Sequence, residues 1–269
     1  MKKILHVILW PIIFILGQFF IQNLFIASFN SHNVDTYKRL FPSFTDLEII
    51  ETSQYKTDLL NYMNSHALLI TTIMFIIFEI IFLILIRPYK KNEINTNINI
   101  KTIMLIILSG ISISIFYNTL IYFVNSIIHI TDDYIISDIP LFTLILTTGI
   151  MGPILEELLF RGIVYNRLKI YLSYKKSVII ASILFSIMHL PNIINAVYTF
   201  FLSFILIYLY DKYKSLKISI LFHIIINITV IFLVHFLIQN NILLNTFLFI
   251  ISLISTPILL LKIYKVSVE

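Results

Sequence analysis

The sequence contains no cysteine. Disulfides, thiolate nucleophiles and cysteine-held metals are therefore excluded. It is also short of turn-formers, with 5 Gly and 7 Pro in 269 residues, which suits long helices. Only 12% of residues are charged, about half the share a soluble domain carries. No block of five or more like charges is present, so nothing reads as a nucleic-acid or partner tail. The formal charge of +5 is then loop charge that sets membrane orientation. The alternating pattern of a membrane β-barrel is missing too.

What fills the sequence instead is hydrocarbon. Hydrophobic residues make up 59% of it, and the mean hydropathy is +0.95. No soluble fold of this length hides that much apolar surface, so lipid must cover part of it. The expected class is an all-α polytopic membrane protein of about eight transmembrane helices, one domain over residues 1–269, with no internal repeat. The first apolar run covers roughly Ile4 to Phe29. It is longer than a signal-peptide core and lacks a small-residue cleavage site, so it reads as an uncleaved helix. A polar stretch from Asn30 to His66 follows, loosely helical from Asp46 to Tyr62, as an interfacial helix would be. Further runs are Ala67–Ile86, Thr102–Val124, Ile139–Tyr165, two short runs between Ser177 and Tyr210 that turn near Pro191-Asn192, Ile218–Ile238 and Ile242–Leu261.

Loop charge alternates along these runs. Lys2 and Lys3, the Arg87–Lys101 loop, the Arg167–Lys176 loop, the Asp211–Lys217 loop and the tail with Lys262 and Lys265 are basic. The intervening loops, Thr131-Asp132-Asp133, Leu190-Pro191-Asn192 and Gln239-Asn240-Asn241, are acidic or neutral. The positive-inside rule then puts both termini in the cytoplasm and the 30–66 stretch outside.

Ionisable residues inside apolar runs are costly, at least about 2.5–3.5 kcal/mol each at the bilayer centre. Glu156, Glu157 and Arg161 share one run, His189 sits in a second, and His223 with Asn227 in a third. At about 1.5 Å per residue, Glu156 lies ~16 Å from Arg167, His189 ~18 Å from Ser177, and His223 and Asn227 ~9 and ~15 Å from Lys217. All are measured from the same side, so one shared polar site at similar depth is expected. Glu157 and Arg161 are four apart and can pair. Glu156, turned about 100° from Glu157, can face a different neighbour. His223 and Asn227 are also four apart and can aim two donors at one point. Taken singly, Glu157–Arg161 reads as a structural clasp, His223 and Asn227 as interhelical glue, and His189 as a core histidine. Glu156 has no such structural need. Glu79 lies ~12 Å from Arg87, close to the same depth, and either lines the cavity or pairs within the bundle.

The pattern Glu-Glu-x-x-x-Arg, then Phe-x-x-x-His, then His-x-x-x-Asn, over about Gly149 to Thr229, resembles the CAAX protease and bacteriocin-processing family of membrane peptidases, which includes the type II CAAX prenyl endopeptidases. The resemblance implies eight helices around a cytoplasm-facing cavity. It implies that Glu156 activates water with help from His189, that His223 and Asn227 stabilise the oxyanion, and that Glu157 and Arg161 position them. It leaves the metal open: either none, or zinc held by Glu156, His189 and His223, although no His-Glu-x-x-His sequence is present. The expected partners are membrane lipid and a membrane-associated peptide, with no nucleic acid and an undetermined oligomeric state. The Ile-, Asn- and Lys-rich usage suggests a bacterial plasma membrane. Rival readings are a non-catalytic scaffold, immunity or regulatory protein, and a small proton-coupled transporter. The latter would show repeats or Gly/Pro-broken helices, and only Gly152-Pro153 qualifies.

Overall fold

The computed structural model describes residues 2–89, 98–128, 139–237 and 241–266. The acidic loop Thr131-Asp132-Asp133 and much of the Arg87–Lys101 and Gln239–Asn241 loops lie outside the described residues. The chain is an all-α multi-pass membrane protein. Among the described residues, seven helices are long and apolar enough to cross a bilayer, one fewer than the eight runs suggest. The missing one is α9, Tyr174–Ile187, with 14 residues. At 1.5 Å per residue it reaches about 21 Å, short of a ~30 Å hydrocarbon core. It ends in a turn over Met188–Leu190. The chain then re-enters as α10, Ile193–Tyr213, whose first turn is capped by the Asn192 side chain.

Helix α1, Lys2–Leu40, is longer than its apolar run. Its 39 residues span about 58 Å, nearly twice the hydrocarbon thickness. Two short helices, α2 (Asp46–Glu51) and α3 (Ser53–Ser65), pack on its polar extension. Phe29, Tyr37, Ile49 and Tyr55 form their common core. Tyr37 donates to Asp58 (2.8 Å) and Tyr55 to Asn30 (2.6 Å). The expected interfacial helix is thus a pair of helices closed onto the end of α1. Helix α4, Ala67–Ile86, coincides with its apolar run, and α5 covers Ile100–Ile128.

The helix that positions the site is composite. It runs from Leu141 to Tyr171 as α6 (Leu141–Leu144), a π-helical stretch Ile145–Met151, α7 (Gly152–Glu157), a second π-helical stretch Leu158–Tyr165, and α8 (Asn166–Tyr171). Pro153 stands at the start of α7, where a missing N–H is tolerated. Every residue from Leu158 to Tyr165 is buried. Wider π turns leave carbonyls that need other donors. Asn166 supplies one, donating to the Arg161 and Gly162 carbonyls at 3.0 and 3.1 Å. The segment sits at the centre of a core shared with α1, α4 and α9, where Phe14, Phe78, Phe82, Phe160, Tyr165 and Phe185 meet. Close approach to α4 needs Gly162, because a Cβ there would stand 2.8 Å from Ile86 Cγ2. Helix α11, Leu216–Phe232, lies against the other side of the composite helix, and α12, Ile242–Lys265, against α5.

Candidate active site

Glu157 is fully buried and lies at the centre of the polar cluster. Its Oε1 accepts from Arg161 Nη1 at 2.7 Å and from His223 Nδ1 at 2.9 Å. Its Oε2 accepts from the Ser219 hydroxyl. The composite helix and α11 are thereby tied together through one carboxylate. Arg161, also fully buried, reaches Ser203 on α10 with Nη2 (3.1 Å) and lies 4.5 Å from the centre of the Phe185 ring. A buried ion pair survives only when its remaining donors and lone pairs are answered. Here two hydroxyls, an imidazole and an aromatic face supply most of those answers, and Arg161 Nε alone lacks one.

This arrangement fixes the tautomer of His223. An ionised carboxylate only accepts, so Nδ1 carries the proton and a neutral ring leaves Nε2 bare. That Nε2 stands 3.7 Å from Glu156 Oε2. Glu156 differs from its neighbour in the way the 100° turn anticipates: its side chain is 27% exposed where that of Glu157 is 0%. The two adjacent acids therefore face different surroundings, one locked in an ion pair and one reachable.

His189 lies on the turn after α9 and is half-buried. Its Nδ1 donates to the Phe185 carbonyl at 2.9 Å. A carbonyl cannot donate, so here too the neutral ring presents a bare Nε2. The Phe185 ring approaches both imidazoles, 5.0 Å from the His189 ring centre and 5.9 Å from that of His223. Phe185 thus serves as a common wall for His189, His223 and Arg161.

Asn227 does not share a target with His223. It donates to the Thr148 carbonyl at 2.9 Å. The reason lies in the first π stretch. There the Gly152 N–H donates to the Thr147 carbonyl, a five-residue step. The next donor in that register is Pro153, which has no N–H, and the Asn227 amide serves the Thr148 carbonyl. A carboxamide nitrogen has a second N–H, so the side chain keeps a donor to offer.

The zinc set of Glu156, His189 and His223 is not assembled. Among the described residues no three His, Asp or Glu side chains are grouped so as to hold a metal ion. Ser203 and Ser219 were not anticipated as members of the site. Ser219 had a readable signal: with His223 and Asn227 it makes a polar stripe at four-residue spacing on α11. Ser203 had none, since its partner lies on another helix. A cavity of about 560 Å³ between α5, α10 and α12, lined by apolar side chains such as Ile113, Phe116 and Phe201, includes none of these residues.

Residues 138–229 match the family model described as Type II CAAX prenyl endopeptidase Rce1-like. The matched segment runs from just before the composite helix to just past Asn227 on α11. It holds Glu156, Glu157, Arg161, His189, His223 and Asn227. The family is one of proteases, so the match supports a hydrolase. No curated protein and no solved structure matches the chain.

Proposed function

We propose that the protein is an intramembrane endopeptidase that hydrolyses a peptide bond in a membrane-associated peptide or protein, using water activated by Glu156 and the imidazoles. The observation that carries this reading is the pair of acceptors formed by Glu156 Oε2 and His223 Nε2 at 3.7 Å. Both are proton acceptors when His223 is neutral, so a water touching both donates one hydrogen to each. Its lone pair is then directed at a carbonyl carbon, as general-base catalysis requires. As the water attacks, its proton passes to Glu156 or to His223 Nε2. Glu157 behind His223 steadies the imidazolium in the second case, the way a buried carboxylate orients a catalytic histidine.

The carbonyl oxygen becomes an oxyanion and needs donors. The free N–H of Asn227 and a protonated imidazole can supply them, and loss of one such donor typically lowers the rate by about 10²–10³-fold. His189 can protonate the leaving amine once its Nε2 also carries a proton, and the proton that Glu156 takes from the water then restores the one His189 gives up. Glu157 and Arg161 act as positioning residues through His223. The site is assigned to a cytoplasm-facing cavity of the plasma membrane with both termini cytoplasmic, on the alternation of loop charge. Leader removal, bacteriocin self-immunity or pheromone maturation are substrate contexts of the right chemistry.

Peptide profiling of cells carrying wild-type protein or Glu156→Gln tests the reading. Cleavage should vanish in Glu156→Gln and in His189→Ala while both proteins still insert. Full activity in either variant rules the assignment out. Activity that withstands rigorous chelation, in protein with no bound metal by elemental analysis, supports the metal-free form, and its loss supports zinc.

A further inference from the structure

Gly152, at the start of α7, has no neighbouring helix that calls for a glycine. Among the described residues, a Cβ built there would meet one atom, the Thr147 carbonyl oxygen at 3.3 Å. The other four glycines would each press a Cβ against a side chain of another helix, on Phe78, Ile225, Ile228 and Ile86. Helix packing explains those four and does not explain Gly152. A glycine is also the residue that lets a ligand come close to the backbone.

Its place ties it to Glu156. The two are four residues apart on α7, about 6 Å along the axis and about 40° around it. Thr148 precedes Gly152 by the same four residues, close to one turn of an α- or a π-helix. The three share a stripe, and exposure follows it. Thr148 is exposed, Gly152 half-buried and Glu156 reachable, while Thr147, Gly149, Pro153, Leu155 and Glu157 to either side are buried. One turn further the stripe closes. Phe160 is buried against Phe185 of α9, with ring centres 5.0 Å apart. Only residues 172 and 173 join α8 to α9, so α9 runs antiparallel to the composite helix. His189 lies four residues past Phe185, and Glu156 four residues before Phe160, which puts both about 6 Å beyond that contact. There α9 has ended, and the chain turns away into α10. The short α9 therefore covers the stripe at Phe160, brings His189 level with Glu156, and leaves Gly152 and Thr148 uncovered by it.

We propose that the substrate's main chain passes in extended form over Gly152, and that Gly152 is a specificity-determining residue of the site, its missing side chain being the room the peptide occupies. The proposal rests on the peptidase reading of Glu156. An extended chain advances about 3.3 Å per residue, so the residue over Gly152 is about the second from the cut bond. The Thr148 hydroxyl, which can donate or accept, comes next on the stripe and is placed to bond the peptide's amides. A methyl added at Gly152 would stand in this path and touch none of Glu156, His189 and His223.

Two measurements test it. A peptide cut by the wild type is taken from a proteome-derived library and remade with Gly or Leu at the second residue on either side of the cut. On one side, Gly152→Ala should lower kcat/KM for the Leu peptide about 10–200-fold more than for the Gly peptide, and Gly152→Leu should cut the Gly peptide alone. Equal slowing of all peptides, with a lowered unfolding midpoint, marks a strained Thr147 carbonyl and a purely structural glycine, and overturns the proposal. Secondly, the chain has no cysteine, so Thr148→Cys in a Glu156→Gln background places a single thiol. A water-soluble thiosulfonate should label it, and saturating peptide, bound but uncut, should slow the labelling. An unchanged labelling rate overturns the proposal even where the Gly152 variants fail to fold. Wild-type selectivity in both Gly152 variants removes the role of Gly152 and leaves the peptidase reading standing. A wild-type protein that cuts no peptide overturns both.

Discussion

The composite helix Leu141–Tyr171 and the final helix α12 both pass as membrane spans, yet they live in different solvents. In the composite helix 44% of the most apolar window is buried, in α12 only 11%. The first carries Glu156, Glu157 and Arg161 and surrounds them with protein. The second packs on α5 through Phe249, stacked on Phe116 with ring centres 5.7 Å apart, and through hydroxyls, with Ser112 of α5 bonded to Ser255 at 2.6 Å and Thr256 at 2.8 Å. Hydropathy alone ranks α12 as the better span, 2.2 against 1.4. The contrast teaches that a low-scoring span with ionisable residues is the one to place at the centre of a bundle, because only protein can answer its charges.

The contrast is tested most severely by Glu157→Gln. Removing one partner of a buried pair leaves Arg161 unmatched and should cost about 3–5 kcal/mol. Ser255→Ala on α12 removes one interhelical hydroxyl and should cost about 1 kcal/mol or less. Thermal unfolding in detergent compares them, and equal losses would remove the distinction. Gly162→Ala comes next. Its Cβ stands 2.8 Å from Ile86 Cγ2, so α4 must shift, at about 1–3 kcal/mol for an overpacked core. The same measurement checks it, and an unchanged midpoint would show that the α4 contact is loose. Asn227→Ala is expected to cost about 1 kcal/mol in stability for the unserved Thr148 carbonyl. Its cleavage rate should fall by about 10²-fold, less than in Glu156→Gln, as read by paired unfolding and peptide-cleavage assays.

The smallest effect lies outside the bundle. At the start of α2, Thr45 and Glu48 form a reciprocal cap. Hydrogen bonds from the Thr45 backbone and hydroxyl hold the Glu48 carboxyl below its ordinary value of 4.5. A group depressed in the folded state contributes stability above its unfolded pKa and loses it as pH falls through the folded one. Amide exchange in α2 should therefore be flat above about pH 4.5 and accelerate as pH drops further, and Glu48→Gln should blunt that change. Rates independent of pH after correction for intrinsic exchange would remove the cap from the account.

Much of the architecture was legible. Helix α4 begins and ends where its apolar run does, since hydrocarbon length sets both. The Glu157–Arg161 pair follows from four-residue spacing, and the divergence of Glu156 from the 100° turn per residue. Other features were not legible, for physical reasons. Helix α1 continues to Leu40 because Tyr37 and Phe29 pack on α2 and α3, a contact that spans segments distant in sequence. Helix α9 stops short of a full span although its apolar run continues to Leu190. The partner of Asn227 was hidden because it depends on a π turn and on an N–H that Pro153 lacks.

By itself, the sequence determined that this chain lives in a membrane as helices, and which few polar side chains it commits to the interior, because the cost of charge in hydrocarbon is paid residue by residue. Only the tertiary structure decided how those side chains divide their hydrogen bonds. Which carboxylate is locked by Arg161, which nitrogen of His223 is bare, and which glycine is left uncovered are settled by which helices lie side by side. Hydrogen bonds act over about 3 Å, and no pattern along one helix reports what stands across the gap.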